Sequence, residues 1–258
     1  MPAGDADPPP RGSGNTKRDS ASPAMASRPK PDKDRSAITR SVIERYGIEV
    51  SGFDDPDIED DVIVEFAAAL DDVLPRYPAI DLRGVAICEL RADEVSTATW
   101  NWTPAPDGPR PYTARIVLAS TVARDPLGLA RRVRLAVESR ELVSGSEERP
   151  VYSTIVRELA RALDVAGGFR ARRRAQSALL AHFLPSIGNR DGLRTVLDSY
   201  REWRSALSGY AFYGRRLHPG RCLAEAFTEV HLHSTSASAP AQVLHHLLVE
   251  TAREVSHL

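Results

Sequence analysis

Cysteine is scarce in this chain. Cys88 and Cys222 are the 2 thiols among 258 residues. They lie far apart in sequence and belong to no closely spaced metal-type pair. That excludes a disulfide framework and makes a reducing cytoplasm the expected compartment. No apolar run approaches the roughly 20 residues that a membrane span needs. The N-terminus, MPAGDADPPPRGSG, has no apolar segment of the secretory kind. An excess of either charge is missing too: 34 Lys and Arg stand against 35 Asp and Glu, a formal net charge of -1. Charge therefore gives no global case for nucleic acid or an anionic membrane, and any basic site has to be local. What is present suits a globular chain with a sizeable core. The sequence is 42% hydrophobic and 27% charged, and its length fits one domain or two tightly packed subdomains.

Residues 1–36 are rich in Pro, Ser, Asp, Lys and Arg and nearly free of large apolar side chains. Such a segment buries too little surface to offset its ordering entropy, so it is expected to be a disordered tail. Met25 offers an alternative start. Order is expected from Ile38, with Val42, Ile43 and Tyr46 at helical spacing and Gly47 as the stop. An acidic loop, SGFDDPDIEDD, leads to a second helix over 58–74, ended by Pro75 and Pro78. Three stretches then read as strands: 82–90, 97–103 and 112–121. They are short, β-branched or alternating, and separated by turn residues. In the second of them Trp100 and Trp102 share a face, expected to serve sheet packing. A helix over 127–142 follows.

Helical patterns fill the rest: 150–164, 169–184, 191–207, 221–233 and 241–255. In the third of these Leu193, Val196, Leu197, Tyr200 and Trp203 are expected to point inward. The order of helix, small mixed sheet, then helices predicts an α+β fold. A helix-and-sheet portion spans 37–149 and a mostly helical half spans 150–258.

The stretch PVYSTIVRELARALD from Pro150 carries the strongest periodicity. Tyr152, Ile155, Val156, Leu159, Leu163 and Ala166 recur at spacings of three and four and form one stripe. Arg157 and Arg161, four apart, share the other face with Glu158 beside them. The wheel alone describes a solvated polar face equally well. With histidine at the two arginine positions, however, the stretch would read His-Glu-x-x-His, the zinc helix of a metallopeptidase.

A second segment, SGYAFYGRRLHPGRCLAEAFTEV at 208–230, follows in order. Together the two segments resemble the zincin metallopeptidases of the anthrax lethal factor type, also seen in phage-encoded and toxin-associated proteins. The resemblance extends loosely over 58–255. It implies a zincin-like fold, a strand at 116–120, a tyrosine-bearing loop at 208–211 and a helix with an Ala-Glu-Ala-Phe core at 224–227. It aligns the family's two zinc histidines with Arg157 and Arg161, and its third ligand, a glutamate, with Arg221. The general-base glutamate survives as Glu158 and the supporting glutamate as Glu225. The family's tyrosine has two candidates, Tyr210 and Tyr213.

All three ligand positions thus hold arginine, which stays protonated and offers no lone pair to a metal. The resemblance implies zinc, yet this sequence supports no cofactor. A pseudoenzyme is expected, with a binding or structural role and with an Arg–Glu network in the zinc position. Glu158, Glu225 and Asp164 would offset the arginines. A guanidinium left over would take an anionic ligand, and a protein partner is the other expectation. The alternatives are an active metal-dependent hydrolase with unrecognised ligands, or a nucleic-acid binder using the run Arg170, Arg172, Arg173 and Arg174. That run lacks interleaved aromatics. His231 with His233, and His245 with His246, have spacings that put no pair on one helical face. His218 sits in a loop near the expected cleft, and Cys222 is expected to be a small buried thiol.

Overall fold

The computed structural model describes residues 32–91, 93–104, 108–187 and 192–256. Most of the expected tail, and Met25 with it, lies outside the described residues. The tail's expected end at residue 36 is corrected, because α1 runs Asp32–Tyr46. Arg35 ties its N-terminal end to the loop before the second helix. Arg35 pairs with Asp60 and donates to the main-chain oxygens of Asp55 and Ile58. The helix stops where expected: Gly47 has φ +64° and returns its N–H to Ile43 O at 2.8 Å.

Strand β1 is Glu49–Ser51, helix α2 is Asp60–Val73, and strands β2, β3 and β4 are Gly84–Cys88, Ser96–Thr103 and Arg110–Ala119. The four strands form one sheet in the order β1-β2-β4-β3. The first three in that order are parallel, with Val85 opposite Ile116, and β3 runs antiparallel on the edge, with Ala98 opposite Ile116. The expected mixed sheet is therefore present, with β1 as an addition. Gly52, just after β1, has φ +76°, and a Cβ there would lie 2.1 Å from Ile87 O. Only glycine fits so close a backbone approach. The two tryptophans of β3 do not join the core. A bulge falls between Thr99 and Trp100, and each indole is 48% exposed. They meet edge to face at 5.9 Å, with Phe169 5.0 Å from Trp100.

Helices α3 (Ser120–Ala123) and α4 (Pro126–Glu138) lead to α5, Pro150–Ala166. Then come α6 (Arg170–Phe183), α7 (Leu193–Arg204), a two-residue hairpin of β5 (Phe212–Tyr213) and β6 (Arg216–Leu217), α8 (Pro219–His233) and α9 (Ala239–Ser256). The second half is helical as expected. Helix α7 is corrected in its burial: Tyr200 is its buried residue, while Leu193 is 77% exposed and Leu197 is exposed as well. The helix is held mainly at its C-terminal end, where Tyr200 and Trp203 pack on Phe183 at 5.3 and 5.5 Å.

Helix α5 is the centre of the packing. It contacts α2, β3, β4, α8 and α9, and between Val151 and Val165 only Arg161 falls short of full burial. Its polar stripe is thus mostly covered by protein, with Arg161 the exception. Its N-terminus is capped from a distance: Glu65 of α2 accepts the N–H groups of Val151 and Tyr152, both at 3.1 Å. Among the described residues, no helix is long and apolar enough to cross a membrane.

Candidate functional site

The polar stripe of α5 faces a cleft of about 550 Å³. Strand β3 supplies Ser96 and Thr97, the 208–211 loop supplies Tyr210, and α8 supplies Arg221. Arg157, Glu158 and Arg161 line it from α5. The three arginines singled out in the sequence therefore border one cavity.

Each arginine is held differently. Arg157, 7% exposed, pairs through Nε with Glu225 Oε1. The second oxygen of Glu225 accepts from Ser208 Oγ at 2.9 Å. Arg161 Nη1 donates to both oxygens of Glu158, at 2.8 and 2.9 Å, and its Nη2 reaches Tyr210 Oη at 3.1 Å. Burial disfavours the Arg161 cation, but Glu158 and Tyr210 outweigh it and raise its pKa. Arg221 forms no ion pair among the described residues, and its guanidinium carbon sits 4.7 Å from the centre of the Tyr210 ring.

Glu158 is 1% exposed and also accepts from Ser96 Oγ at 2.7 Å. A carboxylate so occupied neutralises a cation; it is poorly placed to take a proton from a third group. The cleft also draws on Ser96 and Ser208, which no sequence motif marks as site residues. Ser208 lies in the SGYA loop, but nothing in the sequence marks Ser96, whose partner is 62 positions away.

Of the two candidate tyrosines, Tyr210 belongs to the cleft. Tyr213 lies on β5, 77% exposed, and is corrected to a surface position. Its hairpin carries the side chain out of the loop that holds Tyr210. Asp164 is also corrected: it pairs with Arg172 of α6 rather than with the three arginines. Burial raises the Asp164 carboxyl pKa against the opposing pull of Arg172, and its Oδ1 has no hydrogen-bond partner among the described residues. Within the basic run, Arg174 pairs with Glu254 at 3.1 Å. Two of the four arginines proposed for nucleic acid are thus committed to carboxylates of this chain.

Four histidines serve as capping or packing groups. His218 Nδ1 accepts the Arg221 N–H at the start of α8, 3.2 Å away. His231 Nε2 lies 2.7 Å from Tyr152 Oη, which also donates to Asp72 at 2.7 Å. His233 Nε2 lies 2.7 Å from Ser144 O, and His245 Nε2 lies 3.0 Å from Tyr77 Oη. Among the described residues, no group of three His, Cys, Asp or Glu side chains is placed to hold a metal ion. Cys222 is buried, its Sγ 3.1 Å from Pro219 O, and burial pushes its thiol up to about 12.

Comparison with family models, with curated proteins and with solved structures returns no match to this chain.

Proposed function

We propose that this protein is a non-catalytic, zincin-like binding protein in which an arginine–glutamate network takes the position of a catalytic metal. The observation that supports this reading is the meeting of Arg157, Arg161 and Arg221 at one cleft. These are the three positions where the resemblance calls for zinc ligands, and they come from two separate helices. The donor set does not fit zinc, because a guanidinium has no lone pair to give. The carboxylates that would have served the reaction are turned to another use. Glu158 holds Arg161 and Glu225 holds Arg157, so charge is balanced without a metal.

The test is metal analysis of purified protein after dialysis against chelator and then against zinc. No retained zinc is the expected result; stoichiometric zinc would overturn the proposal. The scaffold is tested by the combined substitution Arg157→His, Arg161→His and Arg221→Glu. The triple variant is expected to acquire zinc affinity. A folded variant that binds none counts against the zincin-like reading.

A further inference from the structure

The ion pairs of the cleft leave some guanidinium donors unspent. Arg157 spends its Nε on Glu225, but its Nη2 is buried and has no hydrogen-bond partner among the described residues. A buried charged donor without an acceptor is costly, and native structures seldom leave one without a role. Arg221, on the same cavity, stacks on Tyr210 and has no carboxylate among the described residues. Stacking engages the face of a guanidinium and leaves its N–H edge available. Both side chains line one cavity, whose about 550 Å³ suits a small organic ligand. Arg157 Nη2 itself is shut off from solvent, so a ligand reaches it only by displacing the groups that cover it.

The charge of the lining narrows the ligand. Four arginines and four acids line the cleft, among them Arg132 on one side of the balance and Asp93, Glu94 and Glu141 on the other. A near-neutral lining favours an anion of single charge over a polyanion, which Asp93, Glu94 and Glu141, without an ion pair among the described residues, would repel. A planar group with two oxygens matches guanidinium forks best.

We infer that Arg157 and Arg221 form a receptor for a single carboxylate group, carried by a small organic acid or by the end of a peptide chain. The inference rests on the non-catalytic reading of the same cleft. Both oxygens accept from guanidinium N–H groups, and Tyr210 holds Arg221 in place for this.

The test uses the full chain, dialysed against chelator, in titration calorimetry with acetate, inorganic phosphate, N-acetyl-trialanine and the C-terminal amide of that peptide. Acetate is expected to bind saturably and to be at least about tenfold tighter than phosphate. Arg221→Gln, which removes no ion pair, is expected to stay folded and to weaken acetate about tenfold. In the unaltered protein, the side-chain nitrogen resonances of Arg157 are expected to shift on saturation with acetate. A peptide acid that outbinds both acetate and its own amide assigns the carboxylate to a chain terminus; equal binding of acetate and peptide acid assigns it to a small acid. No saturable binding, phosphate tighter than acetate, or a folded Arg221→Gln with unchanged affinity would each overturn the receptor. The two readings fail separately. Retained zinc removes the pseudoenzyme but not an acetate site lost in Arg221→Gln, and absent acetate binding removes the receptor while the metal result stands.

Discussion

Arg157 of α5 and Glu225 of α8 form an ion pair across 68 residues of chain, and the two side chains are 8% and 1% exposed. Charges so far from water stabilise the fold only as a pair, because each has given up its hydration. The pair fastens the two helices that carry the three arginines of the cleft.

Removing one partner is therefore far worse than removing both. Glu225→Gln is expected to lower stability by about 3–5 kcal/mol in urea unfolding. The double variant Arg157→Met and Glu225→Leu is expected to recover most of that loss. A single variant within about 0.5 kcal/mol of the parent would contradict the buried pairing.

The lighter polar contacts of the cleft are expected to rank by how deeply the charged partner is buried, Glu158 being 1% and Arg161 27% exposed at the side chain. Ser96→Ala removes a hydrogen bond to the Glu158 carboxylate and is expected to cost about 1.5–3 kcal/mol. Tyr210→Phe removes a hydroxyl that accepts from the part-exposed Arg161 cation at 3.1 Å and keeps the ring under Arg221; Arg161 retains both bonds to Glu158, so about 0.5–1.5 kcal/mol is expected. Equilibrium unfolding of both variants checks the order.

Acid is expected to weaken the protein from near pH 6.5 downward. Burial lowers His245 to about 4 from an ordinary value of 6.5, and it lowers His231 as well. Below about pH 6.5 the unfolded chain binds protons that the folded chain refuses, so stability is full above that pH and falls towards pH 4. Asp164 acts in the opposite sense, because its raised pKa favours the fold as its carboxyl becomes protonated. With allowance for the partial exposure of His245, its share is about 2 kcal/mol. Urea midpoints from pH 7.5 to 4.5 measure it. His245→Gln, which keeps an acceptor for Tyr77, is expected to flatten the curve.

The two thiols are expected to react unequally. Cys88 is exposed, whereas Cys222 is buried with its pKa pushed up to about 12. A disulfide reagent at neutral pH is expected to label one thiol per native chain and both after denaturation. Cys88→Ser should abolish the native reaction.

Periodicity made much of this architecture legible. The strands β2 and β4 and the helices α5, α8 and α9 lie close to where spacing and punctuation place them. Strand β1 escaped because its 3 residues are too few to show alternation. The inward face expected of α7 holds at Tyr200 and Trp203 but not at Leu193 and Leu197, because a wheel records which side is apolar, not whether a partner covers it. In the cleft, the three arginines could be singled out from motif order. Their company could not: Ser96 reaches Glu158 over 62 residues, Glu65 caps α5 over 86, and Arg172 claims Asp164 from the next helix. Such pairings are settled by tertiary packing, which no local window contains.

The enclosure of α5 on nearly every side also determines how this molecule breathes. Its main-chain amides have no route to solvent short of opening the helices and the sheet around it, so they should be among the slowest in the chain to exchange for deuterium. Occupancy of the cleft would then slow exchange across the whole cooperative unit, far beyond the residues that touch the bound group.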